Sequence, residues 1–252
     1  MALDRVEILG IPIDKVTMDE AIRKVAAFIE SGRPHLVVTP NPEIVYASRT
    51  DPELRQLLRA ASLSVPDGAG IVWASRYLGD PVPERVAGID LMAGLLELSS
   101  RRGFRVFLLG SGPGVAGEAA RRLQKAYPGL SVVGVQHGYF RPEEEDRVIE
   151  AIRAARPHIL LVGMGAPKQE KWLARNLERL GVPVCLGVGG SLDVWAGRAR
   201  RAPPWMRRAN LEWLYRLYRE PRRAIRMLAL PRFAWAVVRE GLGRWLKKGG
   251  ED

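Results

Sequence analysis

The chain is poor in the residues that most often carry metal and redox chemistry: one cysteine and three histidines in 252 residues. A single cysteine, Cys185 in the apolar run VPVCLGV, excludes an internal disulfide framework. It reads as a buried small hydrophobe and suits a reducing compartment. His35, His137 and His158 are scattered, without the spacing of a ligand set, and none is assigned a role. No D-x-D, H-E-x-x-H, P-loop lysine motif or G-x-S-x-G elbow occurs, so metal-ion phosphate chemistry and serine hydrolysis lose ground together. No metal site is expected. No stretch reaches the roughly 18 apolar residues of a membrane span. The beginning, MALDRVEILG, carries early acids and no long apolar run, unlike a signal peptide. Internal repeats and low-complexity segments are missing too.

What is present is a chain able to bury one good-sized core in one or two domains. Its 47% hydrophobic and 27% charged residues are those of a soluble globular protein. The net charge of +11 is unevenly placed: residues 198–252 hold 15 Lys+Arg against 5 Asp+Glu, and the rest is close to neutral. A separate basic segment of this kind points to an anionic partner, whether nucleic acid, a phosphate substrate or an acidic membrane.

From Val6 to Gly190 short apolar runs alternate with helical patterns. Strands are expected at VEILGI, HLVVT, LSVP, RVFLLG, SVVGVQ, HILLVGMG and VPVCLGVG. Helical segments are expected at 18–31, 41–60, 68–77, 89–102, 114–126, 143–155 and 167–180. The later strands are continuously apolar, as strands covered on both faces are. The pattern predicts an α/β, Rossmann-like fold: a largely parallel, doubly wound sheet with helices on both faces. Ligands of such sheets sit beyond the carboxyl ends of the strands, where Thr39, Asn41, Asp67, Gly110–Gly114, Gly165–Gln169 and Gly187–Asp193 fall.

After Gly197 the composition shifts. The segment holds four of the seven tryptophans, and its prolines mark helix starts at 203–204, near 221 and at 231. Leu211, Leu214, Tyr215 and Tyr218 recur at helical spacing as an apolar stripe. Arg216, Arg219, Arg223 and Arg226 form a basic stripe if that helix continues past Pro221. The expected division is a catalytic core over 1–197 and a cationic, aromatic helical appendage over 198–252, suited to a membrane interface.

Taken singly, the motifs leave two readings each. In RVFLLGSGPGVAGEAA a strand meets a glycine-rich turn and a helix, and Gly112, Gly114 and Gly117 satisfy G-x-G-x-x-G. Such a turn either cradles a phosphate or only packs tightly. A dinucleotide enzyme would also place an acid at the end of the next strand, which offers Gln136 and His137 instead. In GMGAPKQEKW, Gln169 projects from a first helical turn. In VTPNPE, Thr39 and Asn41 suit sugar hydroxyls or helix capping. Arg85 near a helix start is unfavourable on dipole grounds and hints at an anion. Ser191 and Asp193 of GVGGSLDVWAG either cap or bind. Asp67, in SVPDGAGIVW, is a helix cap or a catalytic base.

Together TPNPE, VPDGAG, ERVAGIDL, LLGSGPG, VGMGAPKQE, GVGGSLDVWAG and RAPPWMRRANLEWLYRLYREPRR resemble, in order and spacing over roughly residues 5–230, the TagA/WecG/CpsF glycosyltransferase family. That family includes the N-acetylmannosaminyltransferases of wall teichoic acid and enterobacterial common antigen synthesis. The resemblance implies transfer of N-acetylmannosamine, or a related sugar, from a UDP-sugar to N-acetylglucosamine on undecaprenyl diphosphate. It implies a β-1,4 linkage, inversion, and neither metal nor other cofactor. By the same resemblance Asp67 is the base, Thr39, Asn41, Arg85 and Gln169 lie around the sugars, and Arg216, Arg223 and Arg226 close over the site. The nucleotide is expected against Gly110, Ser111 and Gly112, with Tyr139, Gly189 and Asp193 at neighbouring strand ends. The chemistry agrees, since one base suffices for inversion and arginines can replace a metal on the departing diphosphate.

The appendage is then expected to seat on an anionic membrane, placing the protein peripherally on the cytoplasmic face. Nucleic acid is not an expected partner, and a homo-oligomer stays open. Two rival classes remain: a nucleic-acid-binding protein that uses the arginine-rich tail, and an NAD-dependent oxidoreductase.

Overall fold

The run VEILGI does not stay one strand. In the computed structural model, which describes residues 4–209, 211–219 and 227–248, Leu9 and Gly10 both take positive φ, 50° and 81°. A two-residue turn of that hand joins β1 (Arg5–Ile8) to β2 (Ile11–Asp14), antiparallel with Ile8 opposite Ile11. The hairpin stands apart from the main sheet. Asp14 ties it there: fully buried, it accepts from Arg5 Nε at 2.6 Å and from the Ser64 backbone N–H at 2.7 Å. Asp14→Asn offers an oxygen to one of these donors and an NH2 group to the other. We expect it to cost about 1.5–3 kcal/mol, read as a lowered urea midpoint; an unchanged midpoint would sink this role.

The main sheet has six parallel strands in the order β4-β3-β8-β7-β5-β6. These are β3 (His35–Val38), β4 (Leu63–Ser64), β5 (Arg105–Gly110), β6 (Ser131–Gln136), β7 (Ile159–Gly163) and β8 (Val184–Gly187). Every residue of β7 and β8 is buried. Successive side chains point to opposite faces, so the sheet divides the core. Phe107, Leu109, Leu160 and Val162 pack with the hairpin on one side. Val106, Leu108, Ile159 and Leu161 pack with the second layer of helices on the other.

The helices follow the expected order. They are α1 (Met18–Ser31), α2 (Pro42–Ala47), α3 (Pro52–Ala60), α4 (Ala69–Tyr77), α5 (Gly88–Arg102), α6 (Val115–Ala126), α7 (Glu145–Ala155), α8 (Lys168–Leu180) and α9 (Ser191–Trp195). The single segment expected over 41–60 breaks in two. Asp51 caps a new helix by accepting from Leu54 N–H, and Pro52, which has no N–H to give, takes its first position.

After Gly197 come α10 (Pro204–Arg208), α11 (Glu212–Arg219) and α12 (Ala229–Lys248). Pro231 lies in the first turn of α12 and does not interrupt it. Phe233 and Val237 of α12 are buried in the same layer as the hairpin, Val45 and Ile71. Further along, Glu240 accepts from Leu9 N–H at 2.9 Å and Arg244 donates to the Glu7 carbonyl at 2.8 Å. Among the described residues no helix is long and apolar enough to cross a membrane.

Candidate active site

Asp67 is the third residue past β4, and its surroundings are built from three segments. Its N–H donates to the Pro40 carbonyl at 3.3 Å, and the preceding Pro66 carbonyl accepts from Val86 N–H at 2.9 Å. The N-cap of α4 is Gly68, φ 89°, which has no side chain to give. Asp67 Oδ2 accepts from the N–H of Gly88, the first residue of α5, at 3.3 Å. Two glycines make this turn possible. Gly68 supplies the positive φ, and a Cβ on Gly70 would stand 2.5 Å from Pro42 Cγ.

Thr39 and Asn41 meet Asp67 there. Thr39 Oγ1 is 3.1 Å from where a Cβ of Gly88 would stand, so the missing side chain at 88 lets α5 approach β3. Asn41 caps α2, its Oδ1 accepting from Ile44 N–H at 3.0 Å. Its oxygen is committed, which leaves NH2 donors for a ligand. Asp67, Thr39 and Asn41, some from a capping pattern and some from a strand end, thus form one corner at β4 and β3.

Gln169 is placed otherwise than a projecting first-turn residue. It is 3% exposed. Its Oε1 accepts from Gly165 N–H at 3.2 Å and Gly189 N–H at 3.0 Å, and Nε2 donates to Glu170 Oε1 at 2.8 Å. The amide lies over Gly187, whose Cβ would stand 2.6 Å from Nε2. Gln169 therefore joins the loop after β7 to the loop after β8. Glu170, which the sequence did not single out, is buried, and burial pushes its carboxyl above the ordinary glutamate range.

The expected nucleotide residues divide. Gly110 has φ 139°, and a Cβ there would meet the Gly163 carbonyl at 2.4 Å. Ser111 follows with φ 54°, its N–H on the Gly163 carbonyl at 2.8 Å and its Oγ donating to Asp193 Oδ2 at 2.8 Å. Gly110, Ser111, Gly189 and Asp193 thus come together where β5, β7 and β8 end. Gly112 lies in the turn before α6. Tyr139 stands past the end of β6, at the sheet edge, 76% exposed. From β4 to β5 the strand ends extend about 19 Å at ~4.8 Å per strand.

A cluster of charge that the sequence did not reveal borders the Asp67 corner. Arg201 grips Asp90, in the first turn of α5, with both terminal nitrogens at 2.5 and 2.6 Å. Its Nε reaches Glu212 Oε1 at 3.4 Å, and Glu212 Oε2 lies 3.6 Å from Arg85. Burial pushes the Asp90 carboxyl up, but the Arg201 hydrogen bonds and charge, with Arg85 and Arg207 behind them, hold it below the ordinary range. Of this cluster the sequence had singled out Arg85 alone; Asp90 and its partner Arg201, 111 residues later, were not. Arg216 sits on α11, and Arg223 and Arg226 lie outside the described residues. Among the described residues no three of His, Cys, Asp and Glu gather in a group that could hold a metal ion.

A parallel six-stranded α/β fold with a carboxylate, amide and hydroxyl corner beyond its strand ends is the frame of a ligand-binding enzyme of the doubly wound class. The chain belongs to the WecG/TagA/CpsF family of glycosyl transferases, whose pattern matches residues 6–247. Among curated relatives it is similar to the N-acetylglucosaminyldiphosphoundecaprenol N-acetyl-beta-D-mannosaminyltransferase of Staphylococcus aureus strain MW2. The two are 37% identical over 237 residues, 93% of this chain and 92% of that protein. The protein of the same name from strain NCTC 8325 / PS 47 matches to the same extent.

Proposed function

We propose that this protein transfers N-acetylmannosamine, or a related sugar, from a UDP-sugar to the 4-hydroxyl of N-acetylglucosamine on undecaprenyl diphosphate. The product would feed a cell-surface polysaccharide or wall teichoic acid. The relatives' name supports the sugar and the lipid-linked acceptor. The observation that carries the reading onto these residues is the Asp67 corner, where one carboxylate is held beside Thr39, Asn41 and the start of α5.

In the step we envisage, the acceptor 4-oxygen attacks the anomeric carbon of the donor from the face opposite UDP. Its proton passes to Asp67, and the bond to the β-phosphate oxygen breaks with its electron pair leaving on UDP. One carboxylate acting as base is enough for such an inverting displacement. The charge on departing UDP needs cations, and guanidinium groups match phosphate oxygens with two hydrogen bonds each. Arg85, with Arg216, Arg223 and Arg226 of the appendage, is assigned that task, so no metal is required. Gly110, Ser111, Gly112, Gly189 and Asp193, with Tyr139 at the edge, are proposed for the nucleotide, and Gln169 for the floor beneath the sugar.

The division at residue 197 is part of the same proposal: the body carries the base and the appendage brings cations and a lipid-facing surface. Trp205, Trp213, Tyr218, Trp235 and Trp245 are exposed on it, a pattern suited to shallow insertion among anionic lipids at the cytoplasmic face. The test is UDP release from UDP-N-acetylmannosamine and a short-chain lipid diphosphate N-acetylglucosamine in EDTA. We expect turnover to persist. Failure with every UDP-sugar, in a folded protein, would reject the reading; activity lost in EDTA and restored by Mg2+ would reject metal independence alone.

A further inference from the structure

Three guanidinium groups gather at the start of α5, and they are not equally satisfied. Arg201 spends its fork on Asp90 and its Nε on Glu212. Arg85 faces Glu212 at 3.6 Å, longer than the ~2.7–2.9 Å of a charge-assisted hydrogen bond. Arg207 has less still: its Nε is buried, and among the described residues nothing accepts from it. Backbone bonds hold it beside the others. Its N–H donates to the Pro203 carbonyl at 3.1 Å, and Leu211 N–H turns back to Met206 at 2.8 Å, bringing Glu212 next to α10.

A donor shut away from water without an acceptor costs about 1–3 kcal/mol. Asp90 and Glu212 are already engaged by Arg201 and Arg85, so these two acids do not relieve it. Phosphate oxygens would: they are acidic, numerous, and shaped for the guanidinium fork. A loosely held Arg85 could turn onto the same group. We infer that Arg207, together with Arg85, binds a diphosphate of the substrates and thereby seats α10 against the start of α5. The inference rests on the glycosyl-transfer reading and adds a residue to it. Donor and acceptor both carry a diphosphate, so the experiment must tell them apart.

Arg207→Gln and Arg207→Lys are compared with wild type by varying each substrate in turn, with UDP binding measured by calorimetry. For Arg207→Gln we expect one KM to rise about 10-fold or more, the equivalent of a lost charged hydrogen bond. The lysine, a point charge without the fork, should recover part of it. A raised KM for UDP-sugar with weaker UDP binding places Arg207 on the donor. A raised KM for the lipid acceptor with UDP binding unchanged places it on the acceptor. Unchanged KM values and UDP affinity, with or without a fall in kcat, overturn the proposal. If the glutamine variant does not fold, Arg207→Lys alone decides, and unaltered constants there overturn it equally. Wild type inactive on every UDP-sugar rejects the parent reading, whereas wild-type turnover with unaltered variants rejects only Arg207.

Discussion

Asp67→Asn is expected to fold, to bind UDP as wild type does, and to lose transfer, with kcat lower by about 10²–10⁴-fold. The substitution is nearly isosteric. An asparagine oxygen can still accept from Gly88 N–H, the 3.3 Å bond that Asp67 makes with the start of α5, so the local turn should survive. What asparagine cannot do is take a proton from an attacking hydroxyl. UDP release at saturating substrates, with thermal unfolding run alongside, separates the two roles. A mutant as active as wild type would leave Asp67 with the single task of holding α5. The helix start that Asp67 visibly holds is that of α5, 21 residues on, rather than that of α4, whose N-cap is Gly68.

Phe233→Ala should be the most destabilising of the changes considered, by about 3–5 kcal/mol. The ring is 2% exposed and packs in the layer that holds Val45, Ile71 and the hairpin. Its Cε1 comes within 3.8 Å of the position a Cβ on Gly70 would take. Truncation would leave a cavity under α12 and loosen the turn that follows Asp67. Trp235→Ala, two residues on and exposed, is the control and should stay within about 0.5 kcal/mol of wild type. Denaturant midpoints decide. A loss at Phe233 below about 1 kcal/mol would mean that α12 rests on the body without sharing its core.

Much of the framework was legible from periodicity alone. Continuous apolar strands such as HILLVG and VPVCLGV are readable because a strand buried on both faces has no polar alternation to hide it. Helices with a glycine after them, as at Gly103 and Gly181, announce their own ends. The hairpin was not seen because VEIL and the IPID that follows Gly10 read as one run, and the paired positive φ of Leu9 and Gly10 divides them. The helix break at Asp51–Pro52 had a visible proline but fell inside an unbroken amphipathic pattern.

The site was partly visible in the same sense. Asp67, Thr39 and Asn41 stood out because each follows an apolar run, and parallel sheets gather such positions at one edge. Gln169 was found as a residue but not as a buried brace, since its partners are backbone N–H groups from two loops. The order of motifs along the chain determined the family, because spacing and residue type are properties of a line. Which acid meets which arginine was decided only by tertiary structure. Asp90 and Arg201, Asp14 and Ser64, Phe233 and Ile71 are far apart in sequence, and pairing at that separation depends on how whole layers pack, which no local pattern encodes.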